Sequence, residues 1–125
     1  MKGFTLDAGA LIAFEREDRR VIHRVAVALE NSIRLAIPAG VVGQVWCDGK
    51  KQARLARLLK SPLVEIESLD DQRAREAGQL CGRAGTADVV DASVVLCAQR
   101  HGHTVLTSDA DDLLRLDPDL DLEEV

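Results

Sequence analysis

Short apolar runs alternate with helical patterns along the whole chain, and this alternation constrains the fold more than any other feature. "GFTLD" (3–7), "RLAIP" (34–38), "PLVEIESL" (62–69) and "TVLTSD" (104–109) are each of strand length. "AGALIAFERED" continues the first run as a helix. A second helix over roughly 18–31 places Val21, Val25, Ala28 and Leu29 on one face. Pro38 introduces a helix through about Cys47. "KKQARLARLLK" (50–60) predicts another, with Leu55, Leu58 and Leu59 inward, Lys51, Arg54 and Arg57 outward, and Pro62 ending it. Ser68-x-x-Asp71 opens a helix in capping-box style that continues through Ala74, Ala77, Leu80, Cys81 and Ala84. A helix over about 87–100 is ended by Gly102, a short one runs to Leu116, and "DLDLEEV" (119–125) is a candidate edge strand.

Strands separated by helices pair in parallel through right-handed crossovers, and such sheets are covered on both faces. The expectation is an α/β fold with a central parallel sheet of four to five strands. At 125 residues the chain reads as one domain, 1–125, without linker, repeat or low-complexity segment.

Hydrophobic residues make up 46% of the chain, so it is globular, but its aromatics are only Phe4, Phe14 and Trp46. The core must be aliphatic, and base-stacking platforms are not expected. Trp46 is assigned to the core or to a dimer interface. A net charge of −5 excludes bulk attraction to nucleic acid; a polyanion would need a local basic patch or a bound cation. Cys47, Cys81 and Cys97 are odd in number and far apart, which suits buried thiols in a reducing cytosol better than a disulfide frame or zinc site. No signal-peptide pattern and no bilayer-spanning run is visible, so the expectation is a cytoplasmic protein with no membrane partner.

Against that background, "GTADVVDASVVLCA" (85–98) is anomalous. It is apolar on nearly every side, yet Asp88 and Asp91 sit one helical turn apart near its start, with no Lys or Arg in the stretch. An ionised carboxylate buried without a partner is costly. Asp7 ends the first strand and Asp109 the fourth, so in a parallel sheet both lie on one rim. If the helix carrying Asp88 and Asp91 begins at that rim, three or four carboxylates converge. Each alone has an ordinary explanation: Asp7 and Asp109 as helix caps, Asp88 as a first-turn acid. Together they repel one another unless a cation sits among them. Hard divalent cations take all-oxygen ligands, and magnesium is commonly held by carboxylates plus a substrate phosphate. In "DADD", one of Asp111 and Asp112 is expected to join the site and the other to be a solvated first-turn acid.

Four segments, "TLDAGALIA", "IPAGVVGQVW", "TADVVDASVVLCA" and "VLTSDADDL", together resemble PIN-domain ribonucleases of the VapC type, found in bacterial toxin–antitoxin pairs. The resemblance spans essentially the whole chain. It implies a three-layer α/β/α fold and a Mg²⁺- or Mn²⁺-dependent acidic site that cleaves single-stranded RNA. It further implies a homodimer inhibited by a cognate antitoxin. By position, Asp7, Asp91 and Asp109 become metal ligands and catalytic residues, with Asp111 a fourth or supporting group. Asp88 precedes the family's usual helix aspartate by one turn. Thr107 or Ser108 occupies a small hydroxyl position that could hold water or phosphate. One departure stands out: Gln44 lies where the family pattern has an acid. A carboxamide can orient a water but brings no charge.

The basic face of Lys50, Lys51, Arg54, Arg57 and Lys60, or the group Arg16, Arg19 and Arg20, could track an RNA backbone or meet the antitoxin, although most such faces are simply solvated. His101-Gly102-His103 reads as a helix end rather than a metal pair. Ser93 lacks the context of a nucleophile. Two functions from different classes follow: a metal-dependent endoribonuclease, or a weakened module that binds antitoxin or RNA without efficient turnover because of Gln44. A phospho-acceptor receiver domain would need a lysine that "TVLTSDADD" does not carry.

Overall fold

A computed structural model describes residues 2–125. Five strands form one all-parallel sheet in the order β3-β2-β1-β4-β5: β1 (Phe4–Leu6), β2 (Leu35–Pro38), β3 (Val64–Glu67), β4 (Thr104–Thr107) and β5 (Leu122–Glu124). The candidate edge strand at the C-terminal end is thus β5, paired with β4 over Val105–Leu122 to Thr107–Glu124. Seven helices join the strands: α1 (Ala8–Glu15), α2 (Arg19–Glu30), α3 (Ala39–Val45), α4 (Ala53–Leu59), α5 (Asp71–Ala84), α6 (Val89–His101) and α7 (Ala110–Leu116).

Strand order explains how these helices distribute. From β1 the chain steps to β2 and then β3 in one direction; from β3 it crosses to β4 and moves on to β5 in the other. With right-handed crossovers, that reversal sends α1 to α4 to one face and α5 to α7 to the opposite face. The observed packing agrees: α1 meets α2, α3 and α4, whereas α6 meets α5 and α7. The three-layer α/β/α architecture follows. Its core is aliphatic, with Leu6, Leu11, Leu35, Ile37, Val94, Val95, Val105 and Leu106 almost wholly buried.

The reversal also creates a crevice. Ligands in open parallel sheets gather outside the carboxyl ends of the strands, where successive connections leave to opposite sides. Here that point lies between β1 and β4, the strands followed by Asp7 and Asp109.

Several local expectations are corrected. The helix after β3 is capped by Asp70, whose side chain accepts from Arg73 N–H at 2.9 Å; Ser68 instead takes the Arg73 guanidinium. The helix expected over 50–60 begins only at Ala53, so Lys50 and Lys51 lie in the preceding turn and the basic stripe is not one helix face. Arg54 pairs with Glu17 at 2.6 Å. Trp46 is 40% exposed, not core, and Cys47 is exposed, unlike buried Cys81 and Cys97. Among the described residues no helix is long and apolar enough to cross a membrane.

Candidate metal-binding active site

Asp7 sits between β1 and α1, only 5% exposed, and caps α1 by accepting from Ala10 N–H at 2.8 Å. Its second oxygen accepts from the Thr107 hydroxyl, which in turn accepts from Asp109 N–H at 2.8 Å. One buried hydroxyl therefore ties the end of β1 to the turn after β4. Thr107 is fully buried with its hydroxyl engaged on both sides, so only Ser108 of the two hydroxyl candidates faces solvent. Gly9 makes this approach possible: a Cβ there would lie 1.8 Å from Ser108 Oγ.

The opposite wall is the start of α6. Asp88 caps that helix through Asp91 N–H at 2.9 Å, which leaves the Asp91 carboxylate half-buried in the first turn. Gly102, in the left-handed conformation, closes the other end. Asp109 holds the position before α7 but makes no side-chain capping bond.

Electrostatics show that these acids have been brought together. Burial raises the Asp91 pKa first; the charges of Asp88 and Asp112, a contact with the Asp88 carboxyl and the charge of Asp109 raise it further, to about 7. Asp109 is raised by a hydrogen-bonding contact with the Asp112 carboxyl, by burial, and by the charges of Asp112 and Asp7. Asp7 is raised by burial, against the lowering effect of Thr107 and the amides around it. Among the described residues no Lys, Arg or His forms an ion pair with Asp7, Asp88, Asp91, Asp109, Asp111 or Asp112. Carboxylates from three segments, without a cationic side chain among them, supply oxygen donors of the type a hard divalent cation takes, although no three of them place oxygens within 4.8 Å of one another.

Gln44 is exposed on α3, and its side chain makes no hydrogen bond among the described residues. Gly40, one turn earlier, abuts Val90 beside Asp91, with a Cβ there lying 3.3 Å from Val90 Cγ2. Gln44 therefore continues the face that meets the start of α6, and no carboxylate stands in its place.

A second polar cluster gathers at the carboxyl end of β3, two strands from β1. Glu67, Cys97 and His101 place ligand-type atoms within 4.8 Å of one another. Yet Arg100 already donates to both Glu67 oxygens, at 2.6 and 3.3 Å, and His101 Nε2 lies 3.2 Å from Glu67 and from Glu65. The guanidinium takes the place of a cation there. Burial and the Glu67 charge push the Cys97 thiol up to about 12, so it stays protonated. This network ties β3 to α6 and is structural.

The family model described as PIN domain matches residues 4–117. The chain belongs to the PIN family. This PIN domain is similar in structure to VapBC2 from Rickettsia felis bound to a DNA fragment from their promoter, with a TM-score of 0.70, 18% identity and 98% of each chain covered. It is also similar to FitAB bound to an IR36 DNA fragment (TM-score 0.63, 22% identity, 97% of this chain and 94% of that one). FitAcB from Neisseria gonorrhoeae matches with a TM-score of 0.59, 22% identity and 95% of each chain. No curated protein matches significantly. PIN domains are generally nucleases, which places this one among candidate hydrolases of phosphodiester bonds.

Two features of this PIN domain escaped the sequence reading. Asp112, left open beside Asp111, is the one whose carboxyl reaches Asp109 and whose charge reaches Asp91. Its spacing of three from Asp109 was a usable signal. The Glu67 network was not foreseen, because a lone glutamate at a strand end gives no hint of its buried partners.

Proposed function

We propose that this PIN domain is a Mg²⁺- or Mn²⁺-dependent endoribonuclease of the toxin–antitoxin type, hydrolysing RNA phosphodiester bonds at the aspartate cluster. The reading rests on one observation above all: Asp7, Asp91 and Asp109, from three separate segments, crowd one rim with no cationic side chain among them. Asp7, Asp91 and Asp109 would hold the cation. When bound, it polarises a phosphoryl oxygen and makes a water more acidic.

The chain's own residues supply positioning. Ala10 N–H and the Thr107 hydroxyl hold the Asp7 carboxylate in one orientation, and Thr107 fixes the Asp109 backbone. Ser108 lines a cleft together with Gly9, Ile12, Ala13 and Arg16. Arg16 makes no ion pair among the described residues, so its guanidinium is available to an RNA phosphate approaching along that cleft. The similarity to VapBC2 and FitAB supports a cognate antitoxin as the protein partner; a cytoplasmic homodimer belongs to the same proposal. Exposed Trp46, beside Val42, Ala56 and Leu59, offers an apolar surface for such contacts.

The second reading, a weakened binding module, has its own observation in the uncharged, solvent-facing Gln44. One assay addresses both. Cleavage of single-stranded RNA should require Mg²⁺ or Mn²⁺, stop with chelator, and fall at least about a hundredfold in Asp91→Asn, as expected for loss of a group stabilising charge in the transition state. Cleavage that survives chelation contradicts the nuclease. Turnover that emerges only in Gln44→Glu favours the weakened module.

A further inference from the structure

The cleft on the α1–α2 side of the acidic rim shares a wall with the aspartate site. A Cβ on Gly9, which lines it, would lie 1.8 Å from Ser108 Oγ and 3.5 Å from Asp7 Oδ1. Ile12, Ala13 and Val125 make the cleft largely apolar, while Arg16, Asp18 and Ser108 supply its polar side chains. Its volume of about 500 Å³ is that of a small-ligand pocket and suits one nucleotide. We propose that this cleft is a base-reading subsite, which holds one unstacked nucleotide of the RNA and selects guanine through the Asp18 carboxylate. This rests on the nuclease reading above and names the base that it prefers.

Asp18 caps α2 with one oxygen only. Its Oδ1 accepts from Arg20 N–H at 3.0 Å and Val21 N–H at 3.4 Å, and the Arg20 guanidinium lies 3.9 Å from that same oxygen. Oδ2 makes no hydrogen bond among the described residues, so it is the oxygen left for a ligand. A carboxylate oxygen accepts strongly from N–H groups and repels lone pairs. Single-stranded bases are read along their Watson–Crick edges. There guanine sets two donors side by side, N1–H and N2–H. Adenine, cytosine and uracil each set a single donor group beside a lone pair, which the carboxylate disfavours.

The turn presenting these groups is fixed before a ligand arrives. Glu17, between Arg16 and Asp18, adopts a left-handed φ of 65°, uncommon for a residue with a side chain. Its N–H bonds the Phe14 carbonyl at 3.2 Å and Asp18 N–H bonds that of Ala13 at 2.9 Å, while Arg54 of α4 holds the Glu17 carboxylate. Such conformations persist where neighbours over-determine them, and they cluster at ligand clamps. Arg16 and Asp18 share the cleft without pairing; the ion-pair contact of Asp18 is Arg20. A cation for the phosphate and an acceptor for the base thus stand side by side, the division of labour by which backbone contacts position and base contacts specify.

Two measurements on wild type, Asp18→Asn and Arg16→Gln test this. Asparagine caps a helix as well as aspartate does, so Asp18→Asn keeps the cap through its oxygen and puts an amide donor in place of Oδ2. In the first, the four nucleoside 5′-monophosphates are titrated in Mg²⁺ buffer and followed by amide NMR shifts. Guanosine monophosphate should shift Ile12, Ala13, Asp18 and Ser108 and bind about tenfold tighter than uridine monophosphate. Asp18→Asn should bring the four within about twofold of one another, whereas Arg16→Gln should weaken all four alike. In the second, a randomised single-stranded RNA is cleaved and its new ends are sequenced. Guanine should be enriched at one fixed position from the cut by wild type and not by Asp18→Asn. Equal affinity for the four nucleotides, shifts confined to another surface, enrichment of a different base, or a guanine preference that survives in Asp18→Asn overturns the subsite and leaves metal-dependent cleavage standing. Selective guanosine monophosphate binding in the cleft without cleavage of any RNA supports the subsite and overturns the nuclease reading beneath it.

Discussion

The Thr107 hydroxyl donates to Asp7 and accepts from Asp109 N–H, with no exposure to solvent. Removing it leaves a buried carboxylate oxygen and an amide without their partner, a loss of about 1–3 kcal/mol. Thr107→Val should therefore lower the unfolding free energy by about that amount and depress RNA cleavage, whereas Thr107→Ser, which keeps the hydroxyl, should retain most of both. Denaturant unfolding and initial cleavage rates check the pair. Side by side, these variants separate a positioning role from substrate contact, because a fully buried group cannot touch RNA.

At the scale of elements, the two ends of α6 do different work. Its first turn carries Asp91 toward the acidic rim, and its last turn clamps β3 through Arg100 and His101 on Glu67. Burial on its own would raise the Glu67 carboxyl, but the hydrogen bonds from Arg100 and Cys97 and the charges of Arg100 and Arg73 together hold it below its ordinary value. A depressed acid contributes stability that is present above its unfolded pKa and is lost as pH falls through the folded one. Glu67→Gln should cost about 2–3 kcal/mol at pH 7, between a surface pair and a fully buried one, and the cost should shrink in acid. Because Glu67 makes no bond to Asp7, Asp91 or Asp109, Mn²⁺ affinity should not change. A large loss of Mn²⁺ binding in that variant would show the two clusters to be one.

At the scale of the whole molecule, the parallel sheet was legible because strand-length apolar runs and helical periodicity alternate without interruption. The strand-end positions of Asp7 and Asp109, and the misfit of Asp91 among Val and Ala, were legible for the same reason. Helix starts were less so: Asp70 outcompetes Ser68 as a cap because both residues suit the position and only the backbone path decides. Lys50 and Lys51 share the composition of α4 but fall in the turn before it. The choice between Asp111 and Asp112 depends on how α7 is rotated against α6, which no local pattern encodes.

All of this turns on acids that crowd one another until a cation separates them, and Asp91 reports that crowding. An acid whose folded pKa lies above its unfolded value holds its proton more tightly when folded. Its contribution to stability is full below the unfolded value of 3.8 and is lost as pH rises through about 7. The most direct measurement is a carboxyl-carbon NMR titration of Asp91, without metal and with saturating Mg²⁺. A midpoint near 7 in the metal-free protein, falling by at least about two units with Mg²⁺, is the predicted result. A midpoint near 3.8 that Mg²⁺ leaves unchanged would contradict the account.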